Sequence, residues 1–164
     1  TQCVDTGLYP NSNMRVESTF VYEGHTEDDG FTPSRGMYGA KGSGSYIALY
    51  SDGYQKWGGV SSVYMDVSVF KGKKVNAVQD KNGVVVDGVL YEYTRVPEDF
   101  VNTTNTFLIG DTNGSSARPF IGKMYGLKLY ENNVLLRDFV PVKRSDGVSC
   151  MYDRVENKYY ELKG

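Results

Sequence analysis

The residues of this chain best suited to acid–base chemistry sit together in EGHTEDDG, Glu23 to Gly30, which holds Glu23, Glu27, Asp28, Asp29 and the sole histidine, His25. A Ser-His-Asp site would have to use that histidine, and no serine or cysteine stands in a nucleophile motif. Glycines at 24 and 30 mark the segment as a loop, and a charge run in a loop is most simply a solvated tip. There is no phosphate-cradling glycine loop and no HExxH pair. The expectation is a domain that makes and breaks no bonds. Asp28, Asp29, Asp111 and Asn113 are hard oxygen ligands of the kind calcium takes. The run Asp111-Thr112-Asn113-Gly114 is also ordinary turn chemistry, which is the preferred reading, with calcium as its alternative.

A second group could bind rather than react. Met37 to Ser62 carries Tyr38, Tyr46, Tyr50, Tyr54 and Trp57 among Ser, Asp, Gln and Lys. Flat aromatic faces and planar polar side chains are what sugar recognition needs, with waters filling the remainder. In Tyr54-Gln55-Lys56-Trp57, strand alternation sends Tyr54 and Lys56 to one face and Gln55 and Trp57 to the other. Gly58-Gly59 would leave the Trp57 ring uncovered, ready for a sugar or for a bare backbone. Tyr46 and Tyr50 read as core. Tyr91 and Tyr93 alternate with Glu92 as a further aromatic stripe, and the loop Asp111 to Arg118 offers Asn113 and Arg118 at a rim. The candidate ligand-binding residues are therefore Trp57, Tyr54, Tyr38, Gln55, Tyr91, Asn113 and Arg118.

Strands must position these groups. Across 164 residues there are 19 glycines and 14 tyrosines, a composition of strands joined by tight turns. Met14, Val16, Ser18, Phe20 and Tyr22 alternate with polar residues, and Val63, Met65, Val67 and Val69 repeat the pattern. Asn82-Gly83, Asp87-Gly88 and Asn132-Asn133 suit two-residue hairpins, and Ser145-Asp146-Gly147 marks another reversal. No helix is expected, and roughly a dozen short strands imply an all-β sandwich of two antiparallel sheets in one domain, 1–164. A net charge of −2 and a pI of 5.4, with scattered Lys and Arg, lack the basic stripe of a nucleic-acid binder. No apolar run is long enough to insert in a membrane. The opening TQCVDTG has no initiator methionine or signal peptide and reads as a cut inside a larger protein. Cys3 and Cys150 are too far apart in sequence for a metal knuckle, and they are either buried thiols, the preferred reading, or a pair joined where the chain ends meet.

The stretch LLRDFVPV, Leu135 to Val142, places a charged pair inside an apolar strand. Leu136, Val140 and Val142 share a face with Asp138, whose carboxylate must then find an arginine and backbone N–H donors. Arg137–Asp138 is accordingly read as a fastening rather than an active site. Pro141 belongs at an edge or beside a bulge.

Asp5-Thr6-Gly7 with the strand after it, Gly122-Lys123-Met124-Tyr125, Arg137 to Pro141, and Met151-Tyr152-Asp153 before Tyr159-Tyr160 resemble the laminin-G-like domains of the concanavalin A-like lectin/glucanase superfamily. Such domains occur in surface or secreted proteins of gut bacteria and in phage tail proteins. The likeness covers both ends of the chain, about a third of it. It implies a jelly-roll sandwich, an extracellular, cell-surface or virion location, a glycan ligand, and calcium held at the rim in some relatives. Relatives that cut β-glucans carry E-x-D-x-x-E on a strand; Glu27-Asp28-Asp29-Gly30-Phe31-Thr32 lacks the third carboxylate, and glycine breaks the strand. The expected function is a carbohydrate-binding module, and the alternative is a structural or protein-binding module that spaces other domains of the parent protein.

Overall fold

The computed structural model describes residues 3–23, 36–40, 47–50, 54–58, 61–112 and 120–163. In chain order the first seven strands are β1 (Val4–Asp5), β2 (Met14–Tyr22), β3 (Gly36–Ala40), β4 (Ile47–Tyr50), β5 (Tyr54–Trp57), β6 (Ser61–Tyr64) and β7 (Lys74–Asp80). The rest are β8 (Gly83–Val86), β9 (Val89–Glu92), β10 (Leu108–Ile109), β11 (Gly122–Glu131), β12 (Val134–Lys143), β13 (Ser149–Asp153) and β14 (Lys158–Glu161). They form a smaller, six-stranded sheet, β1-β10-β3-β4-β5-β6, and a larger, eight-stranded one, β14-β13-β12-β11-β2-β7-β8-β9. Every pairing between these strands is antiparallel, and one apolar cluster fills the space between the sheets. This is the expected all-β sandwich.

Alternation in the sequence decides the faces. On β2, Met14, Val16, Ser18, Phe20 and Tyr22 are buried, while Arg15, Glu17, Thr19 and Val21 point out. Burying each of the large apolar ones is worth about 1.5–3 kcal/mol, so a one-residue slip of this strand is strongly disfavoured. The second alternation stops early: after Met65 the chain turns through a short 3-10 segment, Val67–Val69, with Asp66 Oδ1 accepting from Ser68 N at 2.8 Å.

Turn chemistry behaves as the residue types dictate, with one shift. Asp87-Gly88 (φ 46° and 88°) and Asn132-Asn133 (φ 49° and 64°) take the positive dihedrals of a two-residue hairpin. The β7–β8 turn is Lys81-Asn82 rather than Asn82-Gly83, and Gly83 pairs with Asp80 inside the ladder. Glycine is required there, because a Cβ would stand 2.3 Å from the Tyr91 carbonyl oxygen of the neighbouring strand.

The two sheets are sewn together at both seams. Cys3 and Lys163 exchange backbone hydrogen bonds of 2.9 and 2.8 Å, bringing the two ends of the described chain side by side. At the opposite seam, Thr94 N and Oγ1 both donate to the Ser62 carbonyl, at 2.8 and 3.0 Å. Between the seams, Gln79 Nε2 on the larger sheet donates to the carbonyls of Ala48 and Lys56 on the smaller one, at 3.2 and 3.0 Å, and to Tyr93 Oη at 3.2 Å. Cys3 and Cys150 are both buried free thiols.

Candidate functional site

Tyr38, Gln55 and Trp57 of the tyrosine-rich segment build the core, which corrects the expectation for them, while Tyr46 and the side chain of Tyr50 lie outside the described residues. The first three are fully buried, at 0% exposure. The Tyr38 ring stacks on Phe107, with centroids 5.7 Å apart. Alternation does send Gln55 and Trp57 to a common face, but that face is the interior. Gly58 does not leave the indole bare: Phe100 closes over the glycine, where a Cβ would sit 3.4 Å from its ring, and meets Trp57 edge-on at 6.2 Å. Tyr91 on β9 and Tyr93 just beyond it are both half-buried against the core, so the second aromatic stripe also packs inward. Tyr54 lies in β5 opposite Tyr64, and its side chain lies outside the described residues. Asn113, Arg118, His25, Asp28 and Asp29 also lie outside them. Asp111 is buried, and its Oδ1 accepts from Thr112 N at 2.6 Å, while the rest of its expected turn, Asn113-Gly114, lies outside the described residues. Among the described residues, no group of three or more His, Cys, Asp or Glu gathers to hold a metal.

The charged stretch on β12 is a fastening, with the partners exchanged. A bulge separates the pair Leu129–Arg137 from Tyr130–Leu135 and leaves Leu136 as the extra residue. Beyond it, Arg137 turns toward the interior side and Asp138 toward the outer face. Arg137 Nε faces Asp153 Oδ2 at 3.4 Å, and its Nη2 meets Glu156 at 2.8 Å. Asp138 instead meets Arg154 across the strands at 3.7 Å. The aspartate that collects backbone donors is therefore Asp153: its Oδ1 accepts from Asp138 N at 2.9 Å and from Val155 N at 3.0 Å. Pro141 pairs with Met151 beyond Phe139, the last residue of β12 paired with β11, where a missing N–H removes no bond of that ladder.

The outer face of the larger sheet is one surface open to a ligand. A depression of about 270 Å³ there is lined by Glu17, Thr19, Asn76, Lys128, Asp138 and Arg154, with Val78 and Val140 as apolar patches. Its floor is Gly126. A Cβ at this position would touch only the Phe139 carbonyl oxygen, at 3.5 Å, so the missing side chain itself makes the hollow. Gly126 follows the bulge that leaves Tyr125 unpaired between Met124 and Gly126. The bulge throws Tyr125 aside, and Lys74 Nζ covers its ring at 4.1 Å.

The polar groups around the floor are held in place by one another. Thr19 Oγ1 donates to Asn76 Oδ1 at 2.8 Å, which leaves the Asn76 amide nitrogen to donate outward. Glu17 is fixed by Arg15 at 3.2 Å and by the Tyr130 hydroxyl at 3.3 Å. Lys128 is directly opposite Glu17 on one side and Asp138 on the other. Donors and acceptors thus alternate around an open hollow, an arrangement that can hydrogen-bond hydroxyls. These residues escaped sequence reading because each is simply the polar half of an alternating strand. The one signal was Gly126, a glycine interrupting Met124–Tyr130 where a side chain was due.

Fold and site together define a two-sheet antiparallel sandwich with a glycine-floored polar hollow on its larger sheet. Comparison with models of known protein families, with curated proteins and with solved structures found no match.

Proposed function

We propose that this domain is a non-catalytic carbohydrate-binding module of an extracellular, cell-surface or virion protein, and that it takes its glycan in the hollow over Gly126. The laminin-G-like family and its jelly-roll topology belong to the same proposal. One observation carries it: a floor without a side chain, ringed by an amide, a hydroxyl, two carboxylates and two cations. Planar polar side chains at fixed spacing match the hydroxyls of a pyranose, and Val78 and Val140 offer apolar contact for its C–H faces. The mechanism is hydrogen bonding and van der Waals contact, with no step of bond making.

The alternative is a structural or protein-binding module, and the burial of Tyr38, Gln55 and Trp57 favours it, because the aromatics expected to stack on sugar stabilise the sandwich instead. A glycan array decides between the two. The proposal expects retention of at least one glycan class by the folded domain; an array blank both with calcium and with chelator overturns it in favour of the interaction module. Loss of binding on chelation alone would assign a calcium role to the acidic loop residues.

A further inference from the structure

The hollow over Gly126 is one end of a longer feature. Cross-strand partners stand directly opposite one another, so outward side chains fall in rows perpendicular to the strands. One row runs Tyr159, Tyr152, Val140 on β14, β13 and β12, and continues Gly126, Thr19, Asn76 on β11, β2 and β7. Val140 and Gly126 both line the hollow, which joins the two halves. Five strand-to-strand steps of about 4.8 Å give a row about 24 Å long. A monosaccharide fills a fraction of that, and a chain of several sugar units fills it all.

The far end of the row is aromatic. The rings of Tyr152 and Tyr159 lie 5.0 Å apart, tilted by 49°, and Tyr159 is 51% exposed. Elsewhere on this face, Tyr125 and Tyr130 are each covered by a cation at 4.1 Å, Lys74 and Arg15. Arg144 stands 6.0 Å from the Tyr159 centroid, at the limit of such a contact, and is itself engaged by Asp146 and Glu161. Beside the row run Arg154, Asp138, Lys128 and Glu17, two charges of each sign in alternation. Those four sum to zero, so the charges flanking the row offer no net attraction to an acidic or a basic ligand.

Building on the glycan-binding reading, we infer that the occupant is a neutral, linear glycan chain laid across the strands. Its internal units sit over Gly126 and a further unit rests on the Tyr152–Tyr159 pair. The site therefore reads the body of a polysaccharide and not its terminal sugar.

The test is calorimetric titration with ladders of neutral linear gluco-, manno- and galacto-oligosaccharides, each against its monosaccharide, with an oligomer of uronic acids as the charged arm. Affinity should climb with chain length and level off once the row is spanned, with little response to salt. Tyr159→Ala should lower affinity for the longest oligomer about three- to tenfold and leave the shortest binder unchanged. Asn76→Ala should weaken every length, and both side chains are on the surface, so unchanged thermal melts will certify the variants. The inference is overturned if the monosaccharide binds as tightly as the long oligomer, if the uronic-acid ladder wins in a salt-sensitive way, or if Tyr159→Ala leaves the long oligomer untouched. Each of those results preserves a glycan-binding site. Silence of all ladders together with a blank array removes the glycan reading itself, and this inference with it.

Discussion

Replacing Asp153 by alanine should be among the most damaging single changes in the larger sheet, and replacing Asp138 should be nearly harmless. Asp153 is 0% exposed and accepts from two backbone N–H groups, those of Asp138 at 2.9 Å and Val155 at 3.0 Å. Removing the carboxylate strands both donors, at about 1–3 kcal/mol for each that stays buried. It also removes one counter-charge from Arg137, whose side chain is 15% exposed. Breaking a buried pair by deleting one partner costs about 3–5 kcal/mol, but Arg137 keeps Glu156 and the Leu136 carbonyl, each at 2.8 Å. These terms overlap, and Asp153→Ala is expected to lose about 4 kcal/mol. Asp153→Asn, which retains the shared acceptor oxygen, should lose about half of that. Asp138 is 15% exposed, but its partner Arg154 is 59% exposed and stands at 3.7 Å, a loose, solvated contact worth about 0–1 kcal/mol. Urea unfolding followed by tryptophan fluorescence measures all three. A loss below about 1 kcal/mol for Asp153→Ala, or equal losses at 153 and 138, would refute the account of this fastening.

Trp57, the one tryptophan, should emit at short wavelength and resist acrylamide quenching until the chain unfolds, and Trp57→Ala should lose about 3–5 kcal/mol by circular dichroism; a red-shifted, readily quenched native spectrum would contradict its burial. Both thiols should ignore a thiol reagent in the native state and react after denaturation without a reductant. Burial raises the Cys3 pKa, with Asp111 adding to it, so its thiolate is scarce; a titre below two thiols on denaturation would reveal a disulfide. In alkali, burial lifts Tyr38 and Tyr93 far above the ordinary tyrosine value, and it pushes Tyr160 up to about 12, with the hydrogen bond to Glu156 second. A raised folded pKa means that the unfolded chain loses its protons first. Their contribution to stability is therefore intact below pH about 10 and declines as pH climbs through 10 to 12 and beyond; stability unchanged across that range would count against these placements.

Much of the fold was legible because alternation and turn chemistry are local. The β2 pattern named its own buried face, and Asp87-Gly88 and Asn132-Asn133 named their hairpins. Where local reading slipped, a bulge or a long-range contact decided the outcome. The extra residue at Leu136 reversed the sides of Arg137 and Asp138, so the buried carboxylate proved to be Asp153, fifteen positions from the amide it holds. Burial of Trp57 depended on Phe100, which nothing in YQKWGG announces. Gln79 looks like any strand glutamine until the opposite sheet supplies the carbonyls of Ala48 and Lys56. The outer-face row was out of reach for the same reason. Its members are ordinary polar alternates on separate strands, and only the register between those strands sets them side by side.

The most direct test of the binding reading is to fill its floor. Gly126 has no positive φ, a Cβ there meets only one carbonyl oxygen at contact distance, and the atoms beyond it enter the open hollow, so Gly126→Leu should fold normally, at equal stability or about 0.5–1 kcal/mol above it. The leucine would occupy the hollow of about 270 Å³ where the glycan is proposed to lie. Titrating wild type and Gly126→Leu with the glycan that the array selects should give binding in the first and none in the second. Undiminished binding by a folded Gly126→Leu protein would place the glycan elsewhere on the domain and contradict the central claim.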